Sequence, residues 1–373
     1  MIRVTGRVLV AIGVALFCLR AWAQNGSFLE WSVPTADSLP LHVVPASSSV
    51  FFFTESNKNR VAKLDTSANV FTEWLLPTAS MPHGIVLSAS NTIAFCAYNN
   101  NSVGILNTDT SQLTVWGVPT AGAGTIHLDI SGSTYFFTEA LGNKIGLLDP
   151  VAGQITEWLI PTPGATPRGV AVGQNGEVFA AELNVSKIAM LNTVTNTITE
   201  WALPSVRQVE HLRFYNGLVY FGDLGSSIIG ALNPKTNIVI YGPVPTPNAA
   251  IPDVFVSSGL INFTERSGNK IGQFNPALEK GNSKLLTPVV TSVAPQVSPI
   301  VPQNFTLQPT QTTVAPSAAN VAGVVKGGFT EWAVPTAASG PLGINGVGNI
   351  IVFTEYNTGK IGTLTPGNSP LVH

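Results

Sequence analysis

Histidine is the residue type in this sequence best suited to proton transfer, and it recurs at one place in a repeat. The distances to the next recurring acidic position are 13, 14, 12 and 12 residues for His42, His83, His127 and His211. An imidazole titrates near neutral pH and can therefore act as a general base. The sequence predicts His83 as the candidate base, with His127 and His211 as further catalytic candidates. A hydrogen-bonded core role is the alternative for each of them.

The spacing also makes a prediction about the direction of one histidine. Side chains alternate between the two faces of a strand, so an odd offset among even ones reverses the face. The offset of 13 therefore predicts that His42 points away from the other three.

Acidic residues recur with a basic partner five positions later. The acidic position is occupied by Glu55, Ala97, Glu139, Glu182, Asp223, Glu265 and Glu355, and the partner position by Arg60, Ser102, Lys144, Lys187, Ile228, Lys270 and Lys360. The acid and the base are absent together at Ala97 and Ser102. This joint loss predicts cross-strand ion pairs that serve structure rather than chemistry.

One repeat breaks this rule and becomes a candidate ligand site. Asp223 has Ile228 in place of a base, and a buried acid without a partner requires another cation or a ligand. Arg207 and Glu210 precede the same strand, so we expect them to bind a ligand together with Asp223, with Arg168 from the preceding repeat as a fourth candidate. The alternative is that Arg207 or a second arginine, Arg213, simply neutralises Asp223.

The elements that must position these residues are short strands in repeats of about 42 residues. The acidic positions advance by 42, 42, 43, 41, 42 and then 90 residues. Each repeat also carries a Thr-Glu-Trp-like run, with the aromatic residue at Trp31, Trp74, Trp116, Trp158, Trp201, Tyr241 and Trp332. Alternating runs separated by Gly, Pro and Asn indicate four strands per repeat, which is the size of a propeller blade.

Counting strands predicts an all-β, seven-bladed propeller with four-stranded blades. One strand, residues 28–34, precedes the first complete repeat, and the last repeat ends one strand short. We expect the N-terminal strand to complete the last blade and close the ring, because closure removes exposed sheet edges.

The predicted organisation is a signal peptide at residues 1–23 followed by a single propeller at residues 24–373. Basic residues, a short apolar run and Ala21-Trp22-Ala23 are typical of a cleaved secretory signal, so we expect a secreted or periplasmic protein. A Pro/Val/Thr-rich insertion at about 277–327, uncharged from Leu285 to Val325, interrupts the sixth blade. Proline-rich segments form ladders poorly, which favours an extended loop; an apolar lid or partner-docking arm is the alternative.

Composition excludes several classes of protein. The chain is 45% hydrophobic and 10% charged with a net charge of −2, which argues against disorder, a helical bundle and nucleic-acid binding. We expect a monomer without a membrane span, and a buried Cys96. Zinc-type Cys/His spacing, phosphate-binding glycine loops and serine nucleophile elbows are not found in the sequence.

The repeated Asn-Lys-Ile-Gly, Ile-Thr-Glu-Trp and Phe-Thr-Glu units resemble those of the virginiamycin B (streptogramin B) lyase family. The resemblance implies a seven-bladed propeller that opens a cyclic depsipeptide by elimination, using Mg²⁺, two histidines in a Pro-His-[Gly/Ala]-Ile context, and carboxylates. Only Pro82-His83-Gly84-Ile85 has that context here, and Met81 stands where the family has an acid.

These departures favour a propeller that binds a small or peptidic ligand at its axial face without catalysis. The alternative is a Mg²⁺-dependent carbon–oxygen lyase with His83 as its base.

Overall fold

The computed structural model describes residues 25–77, 80–204, 206, 208–276, 282–326 and 328–367. The described chain forms 35 strands and one 3₁₀ turn, Ser56–Lys58, arranged as seven antiparallel sheets. The prediction of an all-β, seven-bladed propeller is confirmed. The predicted signal peptide lies outside the described residues.

Each blade is an antiparallel sheet in which an inner strand lies at the axis and the following strands step outward. In chain order, the four main strands of blades 1 to 6 are β2 Pro40–Pro45, β3 Val50–Glu55, β4 Arg60–Asp65 and β5 Val70–Leu75; β6 Pro82–Ala89, β7 Thr92–Ala97, β8 Ser102–Asn107 and β9 Gln112–Gly117; β10 Thr125–Ser131, β11 Thr134–Glu139, β12 Lys144–Asp149 and β13 Gln154–Leu159; β14 Pro167–Val172, β15 Glu177–Glu182, β16 Lys187–Asn192 and β17 Thr197–Ala202; β18 Val209–Tyr215, β19 Leu218–Asp223, β20 Ile228–Asn233 and β21 Ile238–Pro243; β22 Val254–Ser257, β23 Leu260–Glu265, β24 Lys270–Phe274 and β32 Phe329–Ala333.

The ring closes through the N-terminal strand, as the sequence predicts. Blade 7 consists of β33 Pro341–Val347, β34 Ile350–Glu355, β35 Lys360–Pro366 and β1 Asn25–Ser32. Residues Gly26 to Ser32 of β1 pair with Pro366 to Lys360 of β35. The two ends of the described chain are therefore joined by a sheet ladder.

The blades have five strands rather than the predicted four. Short strands from the proline-rich insertion supply the fifth, outermost strand of every blade: β25 Asn282–Leu285, β26 Val289–Ser292, β27 Gln296–Pro299, β28 Gln303–Thr306, β29 Pro309–Thr313, β30 Ser317–Ala322 and β31 Val324–Lys326. They join blades 5, 4, 3, 2, 1, 7 and 6 in that order. We call residues 282–326 the belt, because it passes once around the propeller. The expectations of a free loop or a lid are wrong, because these residues form sheet ladders, and a role in docking a partner stays a prediction.

A period of seven residues sets the register of the belt. Apolar residues recur at Leu286, Val293, Ile300, Leu307 and Val314, and each donates its backbone N–H to the turn between the third and fourth strands of one blade, at 2.8–2.9 Å. Seven extended residues span about 23 Å, and the chain uses this length to step from one blade to the next. The prolines can lie in the belt because an outermost strand has one unpaired edge.

Seven hydrophobic cores stabilise the fold, one between each pair of neighbouring blades. The repeated tryptophans lie in these interfaces, and the indole N–H of Trp31 donates to Asn69 of the next blade at 3.0 Å. Trp158 and Trp201 repeat this contact with Asn196 and Asn237. Cys96 is fully buried, as predicted.

The predicted ion pairs exist in another form. The structure gives a lysine–glutamate pair in four blades, at 2.8–3.5 Å. In each pair the glutamate is the one that precedes the repeated tryptophan, and not the one that ends the second strand of the blade. The pairs are Lys144–Glu157, Lys187–Glu200, Lys270–Glu331 and Lys360–Glu30. The prediction considered only the second and third strands of a blade. It failed because the fourth strand also places a glutamate beside the lysine, and the lysine pairs with that residue. Burial and the neighbouring Glu157 raise the pKa of Glu139 to about 9, so Glu139 is neutral at pH 7.

Candidate functional site

Two layers of side chains cross the propeller axis. They come from consecutive residues of the inner strands or, in blade 6, from the two residues directly before β22. A register shift follows the first residue of most inner strands, so the next two residues turn toward the axis. We define the upper layer as the second residue of each blade, Leu41, His83, Ile126, Arg168, Glu210, Pro252 and Leu342. The lower layer is the third, His42, Gly84, His127, Gly169, His211, Asp253 and Gly343.

The threonine of Phe-Thr-Glu holds these layers in place. Thr54 accepts the backbone N–H of His42 at 3.3 Å and donates to the carbonyl of His83 in the next blade at 2.8 Å. Thr354 and Thr264 make the same inter-blade bond, to Leu41 and Leu342. The repeated threonine therefore joins neighbouring inner strands, which fixes the positions of both layers.

Glycines in the lower layer allow the histidines to meet. A Cβ at Gly169 would lie 2.6 Å from the Cα of His211, and a Cβ at Gly84 would lie 2.8 Å from the Cα of His127. A Cβ at Gly343 would lie 2.9 Å from the Cα of His42. Each histidine of the lower layer thus packs against the bare backbone of a preceding blade.

Four imidazole rings contact one another at the axis. The ring centroid of His127 lies 4.4 Å from that of His42, 4.7 Å from that of His211 and 5.0 Å from that of His83. All four side chains are buried. Burial lowers the pKa of each histidine, to about 3 for His42, so the rings are neutral at pH 7.

Asp253 supplies the negative charge of the lower layer. Its Oδ1 lies 2.9 Å from Nδ1 of His211, and its Oδ2 lies 4.0 Å from Nδ1 of His42. Burial alone would raise the pKa of Asp253, but His211 and Arg213 hold it well below its usual range. The carboxylate also accepts backbone N–H groups from Val254 and Ile344, so it is firmly oriented.

Two cavities open at the two ends of the axis. The Arg168 cavity, about 410 Å³, contains His83, Arg168 and Glu210 of the upper layer, with Arg266 and Tyr356 from neighbouring loops. The Arg213 cavity, about 360 Å³, has His42, His127 and His211 at its floor, and Asp129, Arg213 and Tyr215 on its walls. The layers of the inner strands lie between the two cavities.

Comparison with known proteins identifies the family. The sequence model of the Virginiamycin B lyase family matches residues 19–258, more than half of the chain. The chain belongs to the virginiamycin B lyase family. No curated protein matches the sequence significantly.

Solved structures share the fold. Virginiamycin B lyase from Staphylococcus aureus superposes with a TM-score of 0.71 at 19% identity, covering 91% of this chain and 99% of that one. A streptogramin B lyase gives 0.73 at 19% identity, with 92% and 98% coverage. A catalytically inactive histidine-to-alanine variant of the Staphylococcus aureus enzyme, solved with quinupristin, gives 0.71, also at 19% identity with 91% and 99% coverage.

The structure separates the sequence-predicted site residues into two groups. His83, Arg168 and Glu210 line the Arg168 cavity, and Arg168 contacts Glu210 at 3.4 Å. His127 and His211 line the other cavity. Arg207 lies outside the described residues.

Asp223 lies at the end of β19 and lines neither cavity. Its carboxylate accepts the backbone N–H groups of Gln208 and Gly225, both at 2.9 Å, and the hydroxyl of Ser226. Arg213 pairs with Asp253 and not with Asp223, at 3.8 Å. Arg213 therefore has a different partner from the one that the alternative of simple neutralisation gave it. The other form of the alternative, in which Arg207 neutralises Asp223, falls outside the described residues and stays a prediction.

The prediction that His42 points away from the others is also wrong. His42, His127 and His211 occupy the same position of their inner strands, and the hairpin of blade 1 is longer by one residue than those of blades 3 and 5. His83 is the histidine that lies one position earlier, yet its ring still reaches His42, with centroids 5.2 Å apart.

Sequence reasoning missed Asp253, Asp129 and Arg266 as site residues. One signal was available for the lower layer: His42, His127 and His211 are separated by 85 and 84 residues, two repeats each time. Residues two blades apart on a seven-bladed ring can meet only across the axis, so this spacing points to an axial cluster.

The Mg²⁺ implied by the family resemblance does not fit the residues of the Arg168 cavity. Mg²⁺ prefers an octahedral set of oxygen ligands that includes carboxylates. Glu210 is the single carboxylate among the described residues that line this cavity, and its side chain is paired with Arg168. No step through Mg²⁺ is therefore derived for this chain.

Within the described part of the chain, no helix has the length and apolar character needed to cross a membrane.

Proposed function

We propose that this protein is an exported binding propeller that holds a small or peptidic ligand in the Arg168 cavity without converting it. The observation that supports this function is the Arg168–Glu210 pair in the cavity wall. The side chains of Arg168 and Glu210 are 28% and 15% exposed, so their polar groups are available to a ligand while their positions are restrained. A volume of about 410 Å³ is typical of a small-molecule site.

The lining predicts the chemistry of the ligand. Arg168 and Arg266 provide donors for carbonyl or carboxylate oxygens, and the guanidinium of Arg266 lies 5.2 Å from the ring centre of Tyr356. Leu41 and Leu342 provide an apolar surface on the opposite part of the wall. Such a lining suits a compact molecule with several carbonyl groups and apolar side chains, as in a cyclic peptide or depsipeptide.

The charge arrangement favours binding over elimination. Elimination across an ester requires a base and a cation or acid that stabilises the departing carboxylate. In this cavity Glu210 pairs with Arg168 at 3.4 Å, which offsets part of the positive charge that would stabilise a departing carboxylate. The metal-binding carboxylates that the family resemblance implies have no counterpart among the described lining residues.

A carbon–oxygen lyase is the second candidate function, and His83 is the observation that favours it. His83 lines the Arg168 cavity, and burial keeps its imidazole in the neutral form that can accept a proton. Its Pro-His-Gly-Ile context resembles that of the family. In the related Staphylococcus aureus enzyme, a variant with one histidine replaced by alanine is catalytically inactive.

Binding and catalysis can be separated with one probe. The chain from Gln24 onward would be titrated with quinupristin by calorimetry, and the recovered ligand analysed by mass spectrometry with and without Mg²⁺. We expect saturable binding with an unchanged ligand, and at least a tenfold loss of affinity in Arg168→Ala. Arg60→Ala is the matched control, because Arg60 lies on β4 and does not line the cavity.

The outcomes lead to different conclusions. A ring-opened product of unchanged mass that disappears in His83→Ala would establish the lyase and overturn the binding proposal. A product heavier by one water would indicate hydrolysis and would overturn both candidates. Binding that Arg168→Ala leaves unchanged would place the ligand elsewhere.

Export is part of the proposal and has its own test. We expect cleavage after Ala23, so protein recovered from the periplasm or the medium should begin at Gln24. Full-length protein retained in the cytoplasm would contradict export. Gel filtration of the same preparation would test the expected monomer.

A further inference from the structure

We propose that His42, His127 and His211 bind one transition-metal ion of the zinc class at the propeller axis, with Asp253 as the outer partner of the ligands. This site is distinct from the Arg168 cavity and independent of the function proposed for it. The three histidines can each offer one ring nitrogen such that all three nitrogens lie within 4.8 Å of one another. Tetrahedral Zn–N bonds of about 2.0–2.1 Å place such nitrogens about 3.3–3.4 Å apart, so the rings would close by up to about 1.5 Å.

Buried ring nitrogens without hydrogen-bond partners support the proposal that an ion binds between the histidines. Nε2 of His42, Nε2 of His127 and, in the upper layer, Nδ1 of His83 are buried and have no hydrogen-bond partner among the described residues. A buried polar atom without a partner costs free energy, so the two nitrogens of the lower layer, in rings whose centroids are 4.4 Å apart, require an explanation. A metal ion satisfies these nitrogens together.

Asp253 has the arrangement of an outer partner to metal-binding histidines. A histidine that binds a metal through one nitrogen commonly directs its other nitrogen to a carboxylate, which fixes the ring and raises its basicity. Nδ1 of His211 lies 2.9 Å from Asp253 and Nδ1 of His42 lies 4.0 Å from it. The short contact leaves Nε2 of His211 as its ligand atom, whereas His42 lies beyond hydrogen-bond distance of the carboxylate and is oriented by it only through charge.

The donor set selects the class of ion. Imidazole suits Zn²⁺, Cu²⁺, Ni²⁺ and Co²⁺, whereas Mg²⁺ prefers oxygen. Three neutral imidazoles with one nearby carboxylate match the three protein ligands common in zinc sites that keep an open position. That open position would face the Arg213 cavity, where Asp129 and Tyr215 lie.

The positive charge of Arg213 opposes the binding of a cation at this site. Its Nη1 lies 3.4 Å from Nε2 of His211, and its Nη2 lies 3.8 Å from Asp253. A bound cation must displace this guanidinium, and the arginine side chain is 29% exposed, so it has room to move toward the cavity. Removal of Arg213 should therefore strengthen metal binding.

The test is metal titration of untagged protein from Gln24 onward after dialysis against a chelator. We expect calorimetry to show one Zn²⁺ per chain, and Co²⁺ to give the absorption bands of a four-coordinate site. His127→Gln should lower the Zn²⁺ affinity at least 100-fold, Asp253→Asn 10- to 100-fold, and Arg213→Met should raise it. His83→Gln is the matched control, because it alters a neighbouring ring of the same type outside the ligand set and should leave the affinity within threefold.

Each outcome decides the proposal. Loss of binding in His127→Gln with retention in His83→Gln supports it, provided that both variants keep the melting temperature of metal-free wild type. If His127→Gln does not fold, the Arg213→Met and Asp253→Asn affinities must still move in opposite directions. Absence of Zn²⁺, Co²⁺, Ni²⁺ and Cu²⁺ binding, or binding that neither His127→Gln nor Asp253→Asn changes, would overturn it.

Discussion

At the scale of single residues, the packing of side chains at the propeller axis depends on glycines that leave room for the histidines. Glycine at the lower-layer position of blades 2, 4 and 7 leaves room for the histidine of the following blade. These glycines have no positive backbone φ. Their role is therefore close approach between neighbouring strands rather than an unusual conformation.

The first prediction concerns Gly169. Gly169→Ala would bring a Cβ within 2.6 Å of the His211 Cα and 2.8 Å of the Glu210 carbonyl, and backbone cannot rotate away as a side chain can. We expect a loss of about 1–3 kcal/mol in the free energy of unfolding, measured by guanidinium denaturation. In the control Gly117→Ala the new Cβ meets nothing within 4 Å. Equal stability of the two variants would contradict the close approach.

The buried carboxyl groups are the second feature at this scale. Burial is the main cause that raises the pKa of Glu55 and Glu139 to about 9, of Glu182 and Glu355 to about 8, and of Glu265 to about 7. Each pKa is raised above its unfolded value of about 4.5. These groups therefore contribute stability that is fully present below pH 4.5 and is lost as the pH rises through 7 to 9.

The second prediction follows from the loss of stability that these carboxyl groups cause as the pH rises. Glutamine resembles a neutral glutamic acid, so Glu139→Gln should change stability by less than about 1 kcal/mol at pH 5 and increase it by more than about 2 kcal/mol at pH 9. Thermal unfolding between pH 5 and pH 9 would measure this. Glu157→Gln removes the partner of Lys144 and should show no gain at alkaline pH. Parallel pH profiles for wild type and Glu139→Gln would sink the prediction.

At the scale of elements, the belt is bonded to one residue of the turn between the third and fourth strands in each of blades 1 to 5. Asn69 has a left-handed backbone, with φ of 55°. Its side chain accepts the indole of Trp31 from the preceding blade, and its carbonyl accepts the N–H of Val314 from the belt. Asn196 and Asn237 repeat this double role. The belt is thus bonded to the same turns that join neighbouring blades.

The third prediction concerns an anchor of the belt. Leu307 is 7% exposed and packs into the core between blades 1 and 2, so Leu307→Ala should cost about 2–3 kcal/mol in unfolding free energy. Val297 belongs to the same belt but is 56% exposed. Val297→Ala should therefore stay within about 0.5 kcal/mol of wild type. Denaturant titration that finds the same small effect for both would show that the belt is not anchored.

At the scale of the whole molecule, stability depends on two elements that connect the blades into a ring, the strand β1 and the belt. The strand β1 closes blade 7 from within, pairing with both β35 and β30. The belt closes the outside, running through all seven blades. Phe28 and Trp31 are each 1% exposed, so β1 also contributes buried side chains to the hydrophobic cores where the ring closes.

The fourth prediction is that a chain beginning at Thr35 loses this joint. We expect its melting temperature to fall by more than about 10 °C relative to a chain beginning at Asn25, because two sheet edges and a core are exposed. A synthetic peptide of residues 25–34 should restore the temperature by strand addition, and the same peptide with Trp31→Ala should not. An unchanged melting temperature without the peptide would show that β1 does not close the ring.

Local sequence patterns were sufficient for the architecture. Alternation within each repeat specifies strands, the repeat length specifies blades, and counting strands places β1 beside β35. The strands and blades are short-range properties, because hairpin neighbours are close in sequence, whereas the pairing of β1 with β35 follows from the strand count. The position of His83 in the wall of a cavity likewise follows from its place at the start of an inner strand.

Only the tertiary structure decided which distant residues meet. The belt pairs with strands distant in sequence, as in the contact of Ser27 with Asn320, which are 293 residues apart. Which of two glutamates each lysine contacts likewise depends on the geometry of three strands. His42, His127 and His211 converge because ring closure places alternate blades across one axis. Such contacts depend on the curvature and closure of the whole ring, which no local run of residues encodes by itself.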